Sequence, residues 1–210
     1  NLQSIFEKCN LRIKKILLKS FLKGVFISDK NLDIDTFFFI EVESNHSKIF
    51  YFENDCLKFE QSFKFGYDII IKDISKITLF KKEIIEEILN DIELKSSISG
   101  EELIEKKFFQ DNSFRKIKKK LIFDIAEARI NEILDLMIFK NINLKYYNKL
   151  PKSLFFQLKS ASSFQGIKDI YKNILRQKGI LDVRCIGKLS YENMVGKKRQ
   201  YLLQRQKNRL

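Results

Sequence analysis

Residues 36–65 read TFFFIEVESNHSKIFYFENDCLKFEQSFKF, three apolar runs that are separated only by short polar turns. Thr36–Val42 and Lys48–Phe52 are continuous runs rich in Phe, Ile and Tyr, as is typical of buried strands. After the polar turn at residues 53–55, the third run alternates with a period of two along Leu57, Phe59, Gln61, Phe63 and Phe65. Three consecutive strands with such short connections predict a β-meander.

Helical and extended patterns follow this meander, which Gly66 ends. A first helix is expected with Ile70, Ile74 and Ile77 on one face, and a second over residues 81–92. A long helix from Ser113 to Lys140 follows a loop at residues 96–100, with Ile117, Leu121 and Ile125 on its early face and Ile133, Met137 and Ile138 on its late face. Beyond Pro151 we predict a strand, a helix and a strand at Leu154–Leu158, Gly166–Leu175 and Val183–Ile186.

The residues before the meander carry weaker patterns. Residues 2–9 have apolar side chains at helical spacing, and Ile16–Leu18 is expected to be a strand. A break in the secondary structure is expected at Gly24. Taken together, a meander followed by alternating helices and strands predicts an α/β fold with a mixed sheet and helices packed against it.

The composition allows two explanations of a strongly basic chain. The net charge of +13 and the pI near 9.5 favour nucleic acid or an anionic membrane as partner. Alternatively, the Lys-, Ile-, Asn- and Phe-rich usage reflects a compositional bias, and the lysines form an ordinary solvated surface. Three dispersed cysteines and the single His46 predict no disulfide framework, zinc site or histidine triad. The sequence has no signal-peptide pattern and no apolar run of about 18 residues.

Several segments resemble motifs of one protein family in the correct order. Residues 20–24 take the place of a Pro-Leu-Ala-Ser-Gly stretch, and residues 41–49 that of an Asp-Ile-Gly-Gly-Gly-Thr-Thr-Asp-Ile phosphate loop. Residues 66–75 match a Gly-Gly-x-x-Ile-Thr-x-Asp-Ile-Ala motif, and residues 127–133 match Glu-x-Arg-x-x-Glu-Ile. Residues 155–166 and 191–196 resemble a Gly-Gly-Gly loop and a Tyr-x-x-Ala-Val-Gly helix. The chain therefore resembles the C-terminal part of FtsA, a bacterial cell-division protein of the actin-like ATPase superfamily.

The resemblance implies a particular domain organisation. Residues 36–80 and 121–187 would form the core of the second lobe, which has a ribonuclease-H-like fold with a three-strand meander. Residues 81–120 would form a small outer subdomain inserted in it, and residues 188–210 a basic C-terminal helix or tail. Residues 1–35 would be a remnant of the first lobe and the crossover, so we expect most of that lobe to precede Asn1.

The resemblance also implies a site for ATP and Mg²⁺. Its residues would be Glu41, Ser44, Asn45, His46, Gly66, Glu127, Arg129, Ser160 and Ala161. Phosphate loops use glycine so that backbone N–H groups can approach the ligand closely. The aligned loop here has lost its glycines and carries Glu43, whose carboxylate repels phosphate. ATP and Mg²⁺ therefore remain possible ligands while efficient turnover is doubtful, and no residue is assigned a catalytic or metal-binding role. Glu41 fits either a water-mediated Mg²⁺ contact or a simple acidic strand end.

The implied function is a division scaffold at the cytoplasmic face of the membrane. FtsA links filaments of the tubulin-like FtsZ to the membrane, and it self-associates into filaments. The acidic and apolar FtsZ tail would contact a basic face of the outer subdomain, formed by Lys106, Lys107, Arg115, Lys118 and Lys119. The basic residues after Lys197 would bind an anionic membrane peripherally. Simple surface charge explains the same lysines.

Two other functions are considered. The net charge fits a nucleic-acid-binding protein with a ribonuclease-H-like fold, although the sequence lacks the convergent carboxylates of a two-metal nuclease and any nucleic-acid-binding motif. Nucleic acid is therefore not the favoured partner. Another branch of actin-like ATPases, involved in pilus assembly or related to chaperones, fits the same order of elements.

Overall fold

A computed structural model describes residues 2–13, 16–91, 100–109, 114–145, 151–159 and 165–187. Its helices and strands follow in the order α1 Leu2–Lys8, α2 Lys19–Lys30, β1 Phe37–Val42, β2 Ser47–Glu53, β3 Cys56–Phe63, α3 Asp68–Thr78, α4 Lys82–Asp91, α5 Lys119–Leu134, β4 Ser153–Leu158, α6 Gln165–Gln177 and β5 Asp182–Cys185. The predicted strands of the meander and the two predicted later strands are all confirmed.

The five strands form one mixed sheet in the order β3-β2-β1-β4-β5. The antiparallel meander places Phe39 opposite Phe50 and Tyr51 opposite Phe59. Strands β1 and β4 are parallel, as are β4 and β5, so the carboxyl ends of these three strands lie at one edge of the sheet. The α/β fold with a mixed sheet, predicted from the meander, is confirmed.

The alternation along β1 divides the core between two faces of the sheet. Phe38, Ile40 and Val42 point into the larger core, which helices α3, α4, α5 and α6 cover. Phe37 and Phe39 point into a smaller core that includes Ile27 of α2. Every residue of β1 is buried, and apart from Glu41 its sequence is apolar on both faces rather than alternating.

The helix α2 differs from the prediction for this part of the chain. Ile16–Leu18 is not a strand, and Gly24 lies inside α2 instead of interrupting the secondary structure. A Cβ atom at Gly24 would come within 1.9 Å of the Phe52 ring, so this position requires glycine for close packing of the helix on the sheet. A long-range contact, rather than a turn, therefore explains this glycine.

Helix α3 is present as predicted, but its buried face is rotated. Ile70, Ile71, Ile74 and Thr78 are buried, whereas Ile77 is 56% exposed. The positions 70, 74 and 78 are spaced by four residues and lie on one side of the helix. The sequence pattern therefore placed Ile77 on the wrong face.

The long helix begins later than predicted. Residues 114–117 are not helical, Lys118 bridges to Leu103, and α5 starts at Lys119. Its early buried residues are Ile122, Phe123 and Ala126, so the predicted face through Leu121 and Ile125 is off by one position. The late face through Ile133, Met137 and Ile138 is confirmed, and a π-helical turn at Asp135–Phe139 continues the helix.

The outer region and the sheet edge complete the described structure. Helix α4 and the 3₁₀ turn Lys106–Phe109 contribute buried residues to the larger core, and the predicted division into a core and an outer subdomain remains a prediction.

At the edge strand β3, the register shifts between Leu57 and Phe59, which inserts Lys58 as a β-bulge. Among the described helices, none is both long and apolar enough to cross a lipid bilayer.

Candidate functional site

The carboxyl ends of β1 and β4 bring charged side chains of three elements together. In parallel α/β sheets, ligands bind in the crevice at this edge, where strand order reverses. Here the order reverses at β1, because the chain places β2 and β3 on one side of this strand and then β4 and β5 on the other. Glu41 lies near the end of β1, Glu43 follows the strand, and Lys159 follows β4. Lys23 reaches the same place from α2.

The centre of this edge is a buried ion pair between Lys23 and Glu41. The Lys23 ammonium donates to both carboxylate oxygens of Glu41 at 2.6 Å, and the two side chains are only 9% and 1% exposed. Burial lowers the pKa of Lys23, and the hydrogen bond and charge of Glu41 oppose that effect. A buried charge needs such a partner, since leaving it alone in the protein interior costs several kcal/mol.

Lys159 connects this pair to the turn between β1 and β2. Its Nζ lies 3.3 Å from Oε2 of Glu41 and 2.5 Å from Oε1 of Glu43. Burial works against its charge, but the hydrogen bond to Glu43 and the nearby carboxylates raise the pKa of Lys159. The hydrogen bond from Lys159 in turn lowers the pKa of Glu43, whose carboxylate also lies 3.0 Å from Nε2 of His46. We call Lys23, Glu41, Glu43 and Lys159 the ion network.

The start of α3 closes over the same turn. The backbone N–H groups of Tyr67 and Asp68 donate to the carbonyl oxygens of Glu43 and Ser44 at 3.0 and 2.9 Å. A Cβ atom at Gly66 would lie 2.0 Å from the Glu43 carbonyl oxygen, so only glycine permits this approach. The first N–H groups of α3, which elsewhere can bind an anion, are therefore hydrogen-bonded within the protein.

These residues do not fit the phosphates of a nucleotide. The turn that would cradle them carries no glycine, and Glu43 sets a carboxylate where negative charge would have to enter. Both lysines that could contact phosphate are already paired with Glu41 and Glu43. Across the described ranges, no group of three or more His, Cys, Asp or Glu side chains is arranged to hold a metal ion.

The structure divides the predicted nucleotide residues between two places. Glu41 and His46 belong to the ion network or contact it, whereas a neighbouring cavity of about 320 Å³ is lined in part by four others, Ser44, Asn45, Gly66 and Arg129. Arg129 is ion-paired with Asp73 and Glu132. Glu127 is half-buried on α5 and does not line that cavity. Ser160 and Ala161 lie outside the described residues. A role of these nine residues in binding a nucleotide remains a prediction.

Sequence reasoning missed Lys23 and Lys159. Lys23 is one of the buried residues of α2, a helix that was not predicted. A stronger signal existed for Lys159, because it directly follows a predicted strand, and the carboxylates of Glu41 and Glu43 lie at the corresponding end of β1. The parallel pairing of β1 with β4 was the missing fact.

The lysines predicted to contact a partner have neighbours of their own. Lys107, Lys118 and Lys119 lie 3.2–3.4 Å from Glu105, Glu101 and Glu102. Arg115 donates to the Thr78 carbonyl oxygen at 2.6 Å, and the Lys106 ammonium lies over the Phe114 ring. Acidic neighbours therefore offset much of the positive charge of this surface. A role in partner binding stays a prediction.

Comparison with known proteins identifies the fold. No protein family and no curated protein matches the sequence. Solved structures do match: MreB 5 of Spiroplasma citri bound to AMPPNP has a TM-score of 0.58 at 12% identity, over 98% of this chain and 64% of that one. A non-polymerisable pCBH ParM mutant gives 0.53 at 12% identity, over 90% and 53%. The PilM–PilN complex of type IV pilus biogenesis gives 0.52 at 7%, over 89% and 46%.

These likenesses establish an actin-like fold. The chain spans about half to two thirds of the length of these actin-like structures, and its five-stranded mixed sheet with packed helices matches one lobe of the fold. At such low identity the comparison carries the fold alone and no more specific assignment. The predicted actin-like architecture is confirmed, while the specific FtsA assignment is not demonstrated.

Proposed function

We propose that this chain is a lobe of an actin-like scaffold protein that acts by binding other proteins and does not turn over ATP. The ion network is the observation that carries this proposal. It occupies the carboxyl edge of the sheet with two lysines and two glutamates whose charges balance one another. Each of these four side chains already has a partner of opposite charge within the lobe.

Binding a triphosphate there would require the network to come apart. If Lys23 or Lys159 turned toward phosphate, Glu41 would lose a partner while it stays 1% exposed. Breaking a buried ion pair costs about 3–5 kcal/mol. The carboxylate of Glu43 would add repulsion on top of that cost. Phosphate binding therefore competes with the folded arrangement of the lobe itself.

The specific role we propose is that of a cell-division scaffold similar to FtsA. It would link FtsZ filaments to the inner face of the membrane and self-associate with other copies. The ordered motifs of the sequence and the actin-like fold support this role. Residues 188–210, which carry the basic tail, lie outside the described residues and would supply the contact with anionic lipid.

A second branch of the superfamily is also supported by an observation. One structure with the same fold is PilM in complex with PilN, a pair named for type IV pilus biogenesis. An adaptor in a pilus-assembly complex would share the scaffold mechanism and differ only in its partner. The nucleic-acid alternative has no such support, and many lysines of the described chain are paired with carboxylates.

Two measurements on the full chain test this proposal. Titration with a fluorescent ATP analogue and Mg²⁺ should show no saturable binding up to about 1 mM, and a Kd near 1 μM would overturn the nucleotide-independent mechanism. Co-sedimentation with anionic vesicles and FtsZ should retain FtsZ on the vesicles equally with ATP, ADP or no nucleotide. If the vesicles retain PilN but not FtsZ, the result would support a role in pilus assembly instead of cell division.

A further inference from the structure

A long groove runs between α3 and α5 on the outer surface of the helical layer. Its wider part, about 530 Å³ in volume, has a floor that includes Ile77, Ile125 and Ala128. It shares Asp73, Lys76 and Arg129 with the 320 Å³ cavity beside the β1–β2 turn, so the two form one continuous surface. We call this surface the α3–α5 groove.

One end of the groove is basic. Lys64, Lys72 and Lys76 line it, all three are exposed, and no carboxylate of the described residues lies within ion-pair distance of them. The nearby carboxylates are engaged elsewhere, because Asp68 pairs with Lys82 and Asp73 with Arg129. Within the described part of the chain, these three lysines therefore carry positive charge without an ion-pair partner.

The other end is apolar. Ile77 is 56% exposed although it belongs to a helix whose remaining isoleucines are mostly buried. It lies beside Ile125 and Ala128 of α5, which gives the floor a continuous apolar strip. The exposed isoleucine and the unpaired lysines therefore offer an apolar and a charged contact to one ligand in the same groove.

We propose that the α3–α5 groove binds a segment of a partner protein that carries Asp or Glu side chains next to Leu, Ile or Phe. The acidic side chains would contact Lys64, Lys72 and Lys76, and the apolar ones would cover Ile77 and Ile125. Complementary charge and burial of the exposed isoleucine act together in this arrangement. The groove lies on helices of the central layer, apart from the surface predicted for partner binding, and the inference holds whether or not the scaffold role does.

The acidic side chains of the groove argue against nucleic acid as the occupant. Asp124 and Glu132 border the apolar end, where a nucleic-acid backbone continuing along the groove would place its phosphates. Their pairing with Lys120 and Arg129 leaves no excess positive charge at that end. A peptide fits both ends, because its acidic residues can lie at the basic end and its apolar residues along the apolar strip.

The test uses the full chain and a peptide selected on it. Random twelve-residue peptides are displayed and selected against the immobilised protein, and the leading peptide is measured by fluorescence anisotropy. We expect the selected peptides to be rich in acidic and large apolar residues. The double variant Lys72→Glu/Lys76→Glu should weaken binding by about tenfold or more, and Ile77→Glu by a similar factor.

The matched control reverses two lysines that are already ion-paired. Lys48→Glu/Lys140→Glu, whose lysines pair with Glu60 and Asp135 outside the groove, should leave the affinity for the peptide within about twofold of the parent. Circular dichroism confirms that each variant is folded. Selected peptides without acidic residues, equal effects of both double variants, or a single-stranded oligonucleotide that displaces the peptide and binds more tightly would each overturn the proposal.

Discussion

The carboxyl edge of the sheet and the α3–α5 groove both place lysines beside carboxylates, and they use them in opposite ways. At the edge, Lys23 and Lys159 are paired with Glu41 and Glu43, and the innermost pair is almost fully buried. In the groove, Lys72 and Lys76 are exposed, and the nearby carboxylates of Asp68 and Asp73 pair with Lys82 and Arg129 instead of with them. Charge that must leave water is matched within the lobe, whereas charge that stays in water remains available to a partner.

The largest effect is expected from Lys23→Met. This change leaves Glu41 buried and lacking its closest partner, although Lys159 stays 3.3 Å away. We expect a loss of about 3 kcal/mol in the free energy of unfolding, measured by urea denaturation. The control Lys72→Met in the groove should change it by less than about 0.5 kcal/mol. Equal effects of the two variants would remove the distinction between the regions.

A smaller effect is expected from Gly66→Ala, at the boundary of both regions. The new methyl group would clash with the Glu43 carbonyl oxygen, which is backbone and cannot rotate away. We expect a loss of about 2 kcal/mol in thermal or urea unfolding. Gly100→Ala, where a Cβ atom meets nothing within 4 Å, is the matched control and should be close to neutral. A neutral Gly66→Ala would show that the turn and α3 are not tightly packed.

The ion network should also respond to pH. Because Lys159 holds the pKa of Glu43 below its ordinary value of 4.5, the unfolded chain binds more protons than the folded one in acid. The stability that this pair contributes is present above that value and is lost as pH falls through the lower, folded pKa. We expect Glu43→Gln to reduce the loss of stability between about pH 5 and pH 3 by up to about 1 kcal/mol.

The result that would contradict this prediction is an unchanged acid limb of the stability curve. If Glu43→Gln loses as much stability as the parent between about pH 5 and pH 3, the pair of Lys159 and Glu43 has no role in acid stability.

The smallest effect on stability is expected from Lys72→Glu/Lys76→Glu. Both side chains are exposed and unpaired within the described chain, so their reversal should change the free energy of unfolding by less than about 0.5 kcal/mol. The same double variant should lose most of its peptide binding. Chemical denaturation of the variant separates the two results, and a large loss of stability would show that these lysines serve the fold.

Local patterns were sufficient for the five strands of the sheet, although not for the parallel pairing of β1 with β4. The runs of Phe and Ile in β1 and β2 and the period of two in β3 predict strands, because the apolar residues of each segment mark which of its positions are buried. Helix α2 was missed because Gly24 is a breaker in local terms, while its packing against Phe52 depends on a contact 28 positions away. The rotated faces of α3 and α5 have the same origin, since neighbouring isoleucines leave the register of a helix ambiguous.

The candidate site was predicted only in part. Glu41, Gly66 and Arg129 were identified from aligned motifs, and the structure places Glu41 in the ion network and the other two in the neighbouring cavity. The lysines that pair with Glu41 were not identified, because Lys23 and Lys159 lie far from it in sequence and the tertiary fold brings them close. Charge matching of this kind has no sequence signature of its own.

The bulge at Lys58 bears on whether the chain aggregates while it folds. Strand β3 is the outermost strand next to β2, and such strands can recruit the exposed strands of other molecules while a chain is still folding. An extra, charged residue within the strand bends it and interrupts any continuous ladder with a neighbour. This chain contains 20 Phe residues, so it has segments that can pair as amyloid-like strands before folding is complete, and a charged bulge at the outer strand opposes such pairing.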